Sequence, residues 1–231
     1  MSAKKQVYFA GASGEIGRRL LQNLIAHNEV DEIHLLVRTQ LKLSEPRVHQ
    51  HLVDFNDLSK LSIQPPPDKD IISFCTLGTT IKQAGSKAKF SQVDLTFVEN
   101  FAKWANENNS KQLAVVSSVD ANASSNTFYL KTKGMMEKSL SSLPWKTLWI
   151  ARPSLLIGER KAFRLGERLG ALAAKLINPL LIGPYKKYRP IQMQTVANTL
   201  TELIRTDQNG IRIIESDQIE EIATRYKQSE N

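Results

Sequence analysis

Val7-Tyr8-Phe9-Ala10-Gly11-Ala12-Ser13-Gly14-Glu15-Ile16-Gly17 decides how this chain is read. A short apolar, β-prone run meets a glycine-rich turn. A helical pattern follows at once, with Leu20, Leu21, Leu24 and Ile25 on one face. Strand, glycine turn and helix, in that order, are what a dinucleotide phosphate site needs. Backbone amides at the helix start donate to the pyrophosphate, and the helix dipole favours its negative charge. Gly11 allows the tight turn, Gly14 lets the backbone approach the phosphates, and Gly17 lets helix and strand pack closely. The spacing is G-x-x-G-x-x-G rather than G-x-G-x-x-G. The strand before it and the helix after it give the motif its weight.

The 231 residues suit one α/β domain with a substantial core. Hydrophobic residues make up 41% and charged residues 23%, a globular rather than a disordered balance. No apolar run reaches membrane-spanning length, and Met-Ser-Ala-Lys-Lys-Gln-Val is not a signal peptide. A cytoplasmic protein with no integral membrane segment is the expectation. The single Cys75 rules out an internal disulfide framework and fits a reducing compartment. The net charge of +8 suits anionic ligands. There is no helix-turn-helix signature and no basic-aromatic RNA-binding motif, so no nucleic-acid partner is expected.

Ile33-His34-Leu35-Leu36-Val37 reads as strand two, ending at Arg38. An acidic residue at that place accepts a ribose 2′-hydroxyl, whereas a basic one accepts a 2′-phosphate. Arg38, with Arg18 just past the glycine turn, therefore predicts NADP(H) over NAD(H). Residues 39–47 are too short and polar for a full crossover helix. His51-Leu52-Val53 leads to Asp54-Phe55, strand three and its exit, where Asp54 can bond the adenine amino group and Phe55 cover the ring. His49 and His51 alternate, and no further metal ligand accompanies them. Asp70 to Cys75 is strand four. Thr76-Leu77-Gly78-Thr79-Thr80 follows it, small enough for a cofactor to lie against the backbone. Cys75 reads as a buried structural thiol.

Residues 92–108 form a helix with Val93, Phe97, Phe101 and Trp104 as a core stripe. Gln112 to Ser117 is strand five, and Leu148 to Ala151 is strand six. The segment 159–190 is basic, with an apolar helical pattern at Leu169 to Ile182. A helix over Thr195 to Ile204, a late strand at Ile211 to Ile214 and a short helical tail close the chain. The alternation argues one doubly wound parallel sheet.

Tyr129 and Lys133 stand at i and i+4, on one helix face. A phenol is a poor acid–base group at neutral pH. A nearby ammonium favours the phenolate, so the tyrosine can exchange a proton with a carbonyl or alcohol oxygen during hydride transfer. The lysine can also bond the nicotinamide ribose. Ser118, at the end of strand five, can hold the substrate oxygen.

These residues, together with Arg152-Pro153-Ser154, resemble the short-chain dehydrogenase/reductase superfamily over about the first two thirds of the chain. More narrowly the chain is similar to the atypical branch that contains the Tat-interacting oxidoreductase-like protein. Cys75-Thr76-Leu77-Gly78-Thr79-Thr80, Ala84-Gly85, Val93-Asp94, Tyr129-Leu130 and Lys133-Gly134 carry that likeness. The resemblance implies an NAD(P)-binding Rossmann fold with strand order 3-2-1-4-5-6-7. It implies a single domain over 1–231, in which 156–195 form a small C-terminal helical lid over the substrate. It places catalysis on Ser118, Tyr129 and Lys133. Coenzyme contacts fall on Gly11, Ser13, Gly14, Glu15, Ile16, Gly17, Arg38, Asp54, Phe55, Leu77, Gly78, Tyr129, Lys133 and Pro153. The strand-four exit departs from the Asn-Asn-Ala-Gly of typical reductases. The short serine-to-tyrosine interval leaves Ser117 and Ser118 both open.

The implied function is NADP(H)-dependent hydride transfer to or from a small carbonyl or alcohol substrate. A cationic lid would attract an anionic one. Two alternatives share the fold: a non-catalytic NADP(H)-binding redox sensor, and an epimerase or isomerase. Either a monomer or a homodimer is compatible with the helices.

Overall fold

The computed structural model describes residues 4–64, 69–157, 181–206 and 208–229. Its first half runs β1 (Lys5–Ala10), α1 (Glu15–Ala26), β2 (Val30–Val37), β3 (Val48–Leu52) and β4 (Asp70–Cys75). Two short helices, α2 (Ile81–Ala84) and α3 (Lys87–Ser91), lead into a π-helical turn (Gln92–Thr96) that continues as α4 (Phe97–Glu107). Then come β5 (Gln112–Val116), α5 (Phe128–Ser141), β6 (Thr147–Arg152) and β7 (Leu156–Ile157). A 3-10 turn (Gly183–Tyr188), β8 (Ile191–Gln192), α6 (Met193–Thr201), a second 3-10 turn (Glu202–Arg205), β9 (Gly210–Glu215) and α7 (Ser216–Ser229) complete it.

Seven strands form one parallel sheet in the order β3-β2-β1-β4-β5-β6-β9. This is the expected 3-2-1-4-5-6-7 order, with the late strand β9 as the seventh. The short strands β7 and β8 pair separately. Covered on both faces, the central strands read as unbroken apolar runs rather than as alternations. Val7 and Phe9 of β1 face one core with Leu20, Leu24, Val196 and Leu200, whereas Tyr8 and Ala10 face the other with Phe101, Trp104 and Met136. Each fully buried Leu or Phe contributes about 2 kcal/mol. Asn23 of α1 donates to Asn198 Oδ1 (3.0 Å) and Thr201 Oγ1 (3.1 Å) of α6, which fixes how those two helices pack.

The strand order reverses between β1 and β4, so their carboxyl ends diverge and leave a crevice there. Residues 39–47 form no helix, as their polarity requires. Helix 92–108 is less regular than its apolar stripe suggests, because its first turn is π-helical. At the sheet edge, the rings of His49 and His51 stack on His34, with centroids 5.1 and 5.2 Å apart. His34 Nδ1 lies 3.0 Å from His51 Nε2. Of the basic stretch 159–190 and the lid over 156–195, residues 158–180 lie outside the described residues. Among the described residues no helix is long and apolar enough to cross a membrane.

Candidate active site

A cavity of about 1400 Å³ opens at the carboxyl ends of β1, β4 and β5. Its floor is the glycine turn. Gly11 adopts φ +98°, and its carbonyl accepts the Gly14 N–H (3.1 Å) and the Thr76 hydroxyl (3.0 Å). A Cβ at Gly11 would stand 2.5 Å from the Thr76 carbonyl carbon, and one at Gly17 would stand 2.1 Å from the Gly11 oxygen. Packing alone therefore requires both. Gly14 is different: a Cβ there would meet nothing closer than 3.4 Å. Gly14 is the N-cap of α1, lines the cavity, and offers no side chain to satisfy the first amides of the helix. The protein's own packing leaves a cradle that a Cβ would fill, and the donors around it suit a phosphate.

Ser13, Glu15 and Ile16 line the same floor with Arg18. The Glu15 carboxylate accepts hydrogen bonds from Arg18 and, at 3.2 Å, from Arg19. Those bonds, Arg18 first, hold its acid below the usual carboxylate range. Leu77 and Gly78 from the β4 exit form one wall, and Tyr129 and Lys133 from α5 another. Among the paired serines, Ser117 lines the cavity; Ser118 is half-buried beside it and is not among the lining residues.

Of the expected coenzyme residues, Gly11 and Gly17 lie beneath the lining, and four more stand off it. Arg38 is exposed just past β2. The exposed Asp54 accepts the Asn56 N–H at 2.9 Å and its side-chain amide at 2.7 Å. The Phe55 ring is buried against Phe97, with centroids 5.7 Å apart. Pro153 is buried behind β6, and its carbonyl accepts the Val119 N–H at 3.1 Å.

Three features had no place in the sequence reading. Lys133 is buried, and its ammonium lies 2.8 Å from Asp94 Oδ1. Burial pulls that ammonium down most strongly, but Asp94 and then Tyr129 push it up, and the balance lies above its ordinary value. The other Asp94 oxygen accepts the Thr79 N–H at 2.8 Å. An aspartate inside the apolar stripe of Val93 and Phe97 was the available signal, since a buried carboxylate demands a partner. The third feature is the commitment of Ser117, whose hydroxyl donates to the buried Glu137. Arg152 donates to the same Glu137 oxygen (Nε to Oε1, 2.9 Å) and reaches Glu215 (3.1 Å) and the Ala121 carbonyl (3.0 Å). The Arg-Pro-Ser motif thus braces the ends of β5 and β6.

Cys75 ends β4 fully buried, and burial pushes its thiol up to about 12. A thiolate nucleophile there is disfavoured.

The pattern of the HIM1 family matches residues 47–180. Protein HTATIP2 of Rattus norvegicus is 34% identical over 168 residues, covering 71% of this chain and 68% of that protein. The mitochondrial protein FMP52 of Candida albicans is 29% identical and covers 88% of this chain and 89% of its own length. Among solved structures, the Bordetella bronchiseptica enzyme WbmF in complex with NAD+ superposes with a TM-score of 0.63 at 13% identity, over 98% of this chain and 78% of that one. The human epimerase family protein SDR39U1 with NADPH gives 0.60 at 16% identity, over 90% and 73%. These two structures share the Rossmann fold with this chain and hold NAD+ and NADPH respectively. The FMP52 relatives are named as mitochondrial, which overturns the cytoplasmic expectation. Composition reports folding class and solubility, whereas an organelle address is read by a receptor from a targeting signal. The match over more than half its length, with the rat relative, shows that the chain belongs to the HIM1 family.

Proposed function

We propose that this protein is an NADP(H)-dependent oxidoreductase acting on a small carbonyl or alcohol. The observation that carries the reading is the meeting of two devices in one cavity: the bare helix N-terminus at Gly14, and the Tyr129–Lys133 pair on α5. When bound, the nicotinamide supplies or takes the hydride. Tyr129 exchanges the proton with the substrate oxygen. Lys133, kept as an ammonium, stands one helical turn along from that tyrosine and can bond the ribose. Ser117, which lines the cavity, supports the role of holding the substrate oxygen that the sequence pattern gives to Ser118. Ser13, Gly14, Glu15, Ile16, Leu77 and Gly78 cradle the coenzyme, on a turn whose packing Gly11 and Gly17 hold. Arg38 and Arg18 favour the 2′-phosphate form. The sequence pattern adds Asp54, Phe55 and Pro153 at the adenine and nicotinamide ends.

A second reading is a binding protein that senses NADP(H). It is favoured by the Ser117 hydroxyl being tied to Glu137 rather than presented freely. A screen of aldehydes and ketones with NADPH, run on wild type and Tyr129→Phe, separates the two. Turnover that the substitution abolishes supports the oxidoreductase. Binding without tyrosine-dependent turnover on any substrate supports the sensor. No binding of either pyridine coenzyme overturns both.

A further inference from the structure

The cavity floor carries a charge that phosphate binding does not call for. Glu15 follows the N-cap Gly14 in the first turn of α1 and lines the cavity beside Arg18. A carboxylate in the first turn complements the helix dipole, but it also stands where a ligand phosphate has to come. Its two arginine partners are unlike. Arg19 is held at two points: its Nη1 donates to Glu15 Oε2 at 3.2 Å and to the Glu15 carbonyl at 3.0 Å. Its side chain is 22% exposed. Arg18 donates to Glu15 Oε1 alone, its side chain is 61% exposed, and it lines the cavity. Among the described residues, Glu15 is the one acceptor of the Arg18 guanidinium. If Arg18 changes partner, Arg19 still meets the carboxylate, so no charge is stranded. An exposed ion pair of this kind is weak, whereas a guanidinium and a phosphate form parallel charge-assisted hydrogen bonds. Arg18 is therefore the transferable cation of the floor, and Arg19 the fixed one.

We propose that Glu15 is a specificity-determining residue of this site: its carboxylate competes with the 2′-phosphate of the coenzyme for the Arg18 guanidinium, and that competition sets how strongly NADP(H) is preferred over NAD(H). The proposal rests on the coenzyme reading above and names what tunes it. NAD(H) has no 2′-phosphate and leaves Arg18 on Glu15. NADP(H) draws Arg18 away and must break the ion pair to do so. That cost falls on one coenzyme only. Repulsion between Glu15 and the pyrophosphate falls on both coenzymes alike and cancels in the ratio of their affinities. Removing the carboxylate therefore widens the preference for NADP(H), and it does so only while Arg18 is present.

Glu15→Gln keeps the length of the side chain and removes its charge. Calorimetry with NADPH and NADH on wild type, E15Q, R18Q and the double variant reads the ratio of the two dissociation constants. In E15Q the ratio is expected to move toward NADPH by at least about threefold. In R18Q it moves toward NADH by at least about tenfold. Adding E15Q to R18Q shifts it by less than about twofold, because no guanidinium is left to compete for. An E15Q ratio equal to wild type overturns the proposal. So does a shift toward NADH, which would mean that Glu15 holds Arg18 onto the phosphate rather than away from it. An R18Q ratio equal to wild type overturns it too, as does an E15Q gain that persists without Arg18. If E15Q does not fold, Glu15→Ala takes its place with the same expectations. Adenosine 2′,5′-bisphosphate against ADP, on the same proteins, repeats the comparison without a nicotinamide and must show the same order. Wild type that binds NADH more tightly than NADPH overturns the NADP(H) reading, while the shift in E15Q still decides for Glu15. Wild type that binds neither coenzyme and neither adenosine bisphosphate overturns both.

Discussion

Gly17 packs directly on the carbonyl of Gly11, and no side chain fits between them: a Cβ on Gly17 would stand 2.1 Å from that oxygen and 2.8 Å from Thr76 Oγ1. The contact sets how closely α1 lies over the first turn, and through Thr76 it joins that turn to the exit of β4. Gly14, three residues away, bears no such constraint. The two glycines therefore answer to different demands, one to packing and the other to a ligand.

Gly17→Ala is expected to lose at least about 3 kcal/mol, because backbone rather than a flexible side chain blocks the new methyl. Gly14→Ala is expected to cost less than about 1 kcal/mol but to weaken dinucleotide binding at least about tenfold. Urea titration and calorimetry on both variants measure this. Equal stability losses, or unimpaired binding by Gly14→Ala, would contradict the division of roles.

Arg38→Glu is expected to reverse coenzyme preference. Removing a charged hydrogen bond to the 2′-phosphate and adding repulsion costs about 1.5–3 kcal/mol, or about 10- to 100-fold in NADP(H) affinity. NAD(H) affinity holds or rises. Two binding isotherms per variant decide it, and an unaltered ratio removes Arg38 from the site.

Tyr129→Phe is expected to lower kcat at least about 100-fold while the coenzyme Kd stays within a few-fold, since the phenol acts on the proton and not on the phosphates. Ser117→Ala is expected to reduce kcat/KM more than Ser118→Ala does, because Ser117 lines the cavity. Steady-state kinetics on any substrate found in the screen checks both, and the reverse order for the two serines would return the role to Ser118.

Stability is expected to fall as the pH drops from about 6.5 to 4. Burial, then His51 and His49, depress the His34 imidazole to about 4 in the folded protein. His51 is lowered as well, by burial and then His49. In the unfolded chain these rings protonate near 6.5, so across that window the unfolded state binds more protons and is favoured. The contribution of His34 is on the order of 3 kcal/mol by pH 4. His34→Phe retains an aromatic ring beside Tyr8 and removes the proton site. Its stability should vary less with pH, as read by thermal melts at pH 7, 5.5 and 4.5. A slope equal to wild type would place the acid sensitivity elsewhere.

Local sequence determined a good deal of this protein. The glycine turn, the unbroken apolar strands and the 3.6-residue stripes are short-range signals, and they were sufficient for a doubly wound parallel sheet and the helix that starts at Glu15, whereas the strand order followed from the family resemblance. The Tyr129–Lys133 spacing likewise put two side chains on one face, and both line the cavity. Only the tertiary structure decided their partners. Asp94 and Lys133 are 39 positions apart in sequence and meet because a π turn and α5 converge below Gly78. Ser117, Glu137, Arg152 and Glu215 come from four elements and form one network. His34 joins His49 and His51 only through the pairing of β2 with β3. Local conformational preference acts over a few residues and can be read along the chain. The pairing of buried charges depends on which surfaces the completed fold brings together, and no local pattern encodes that.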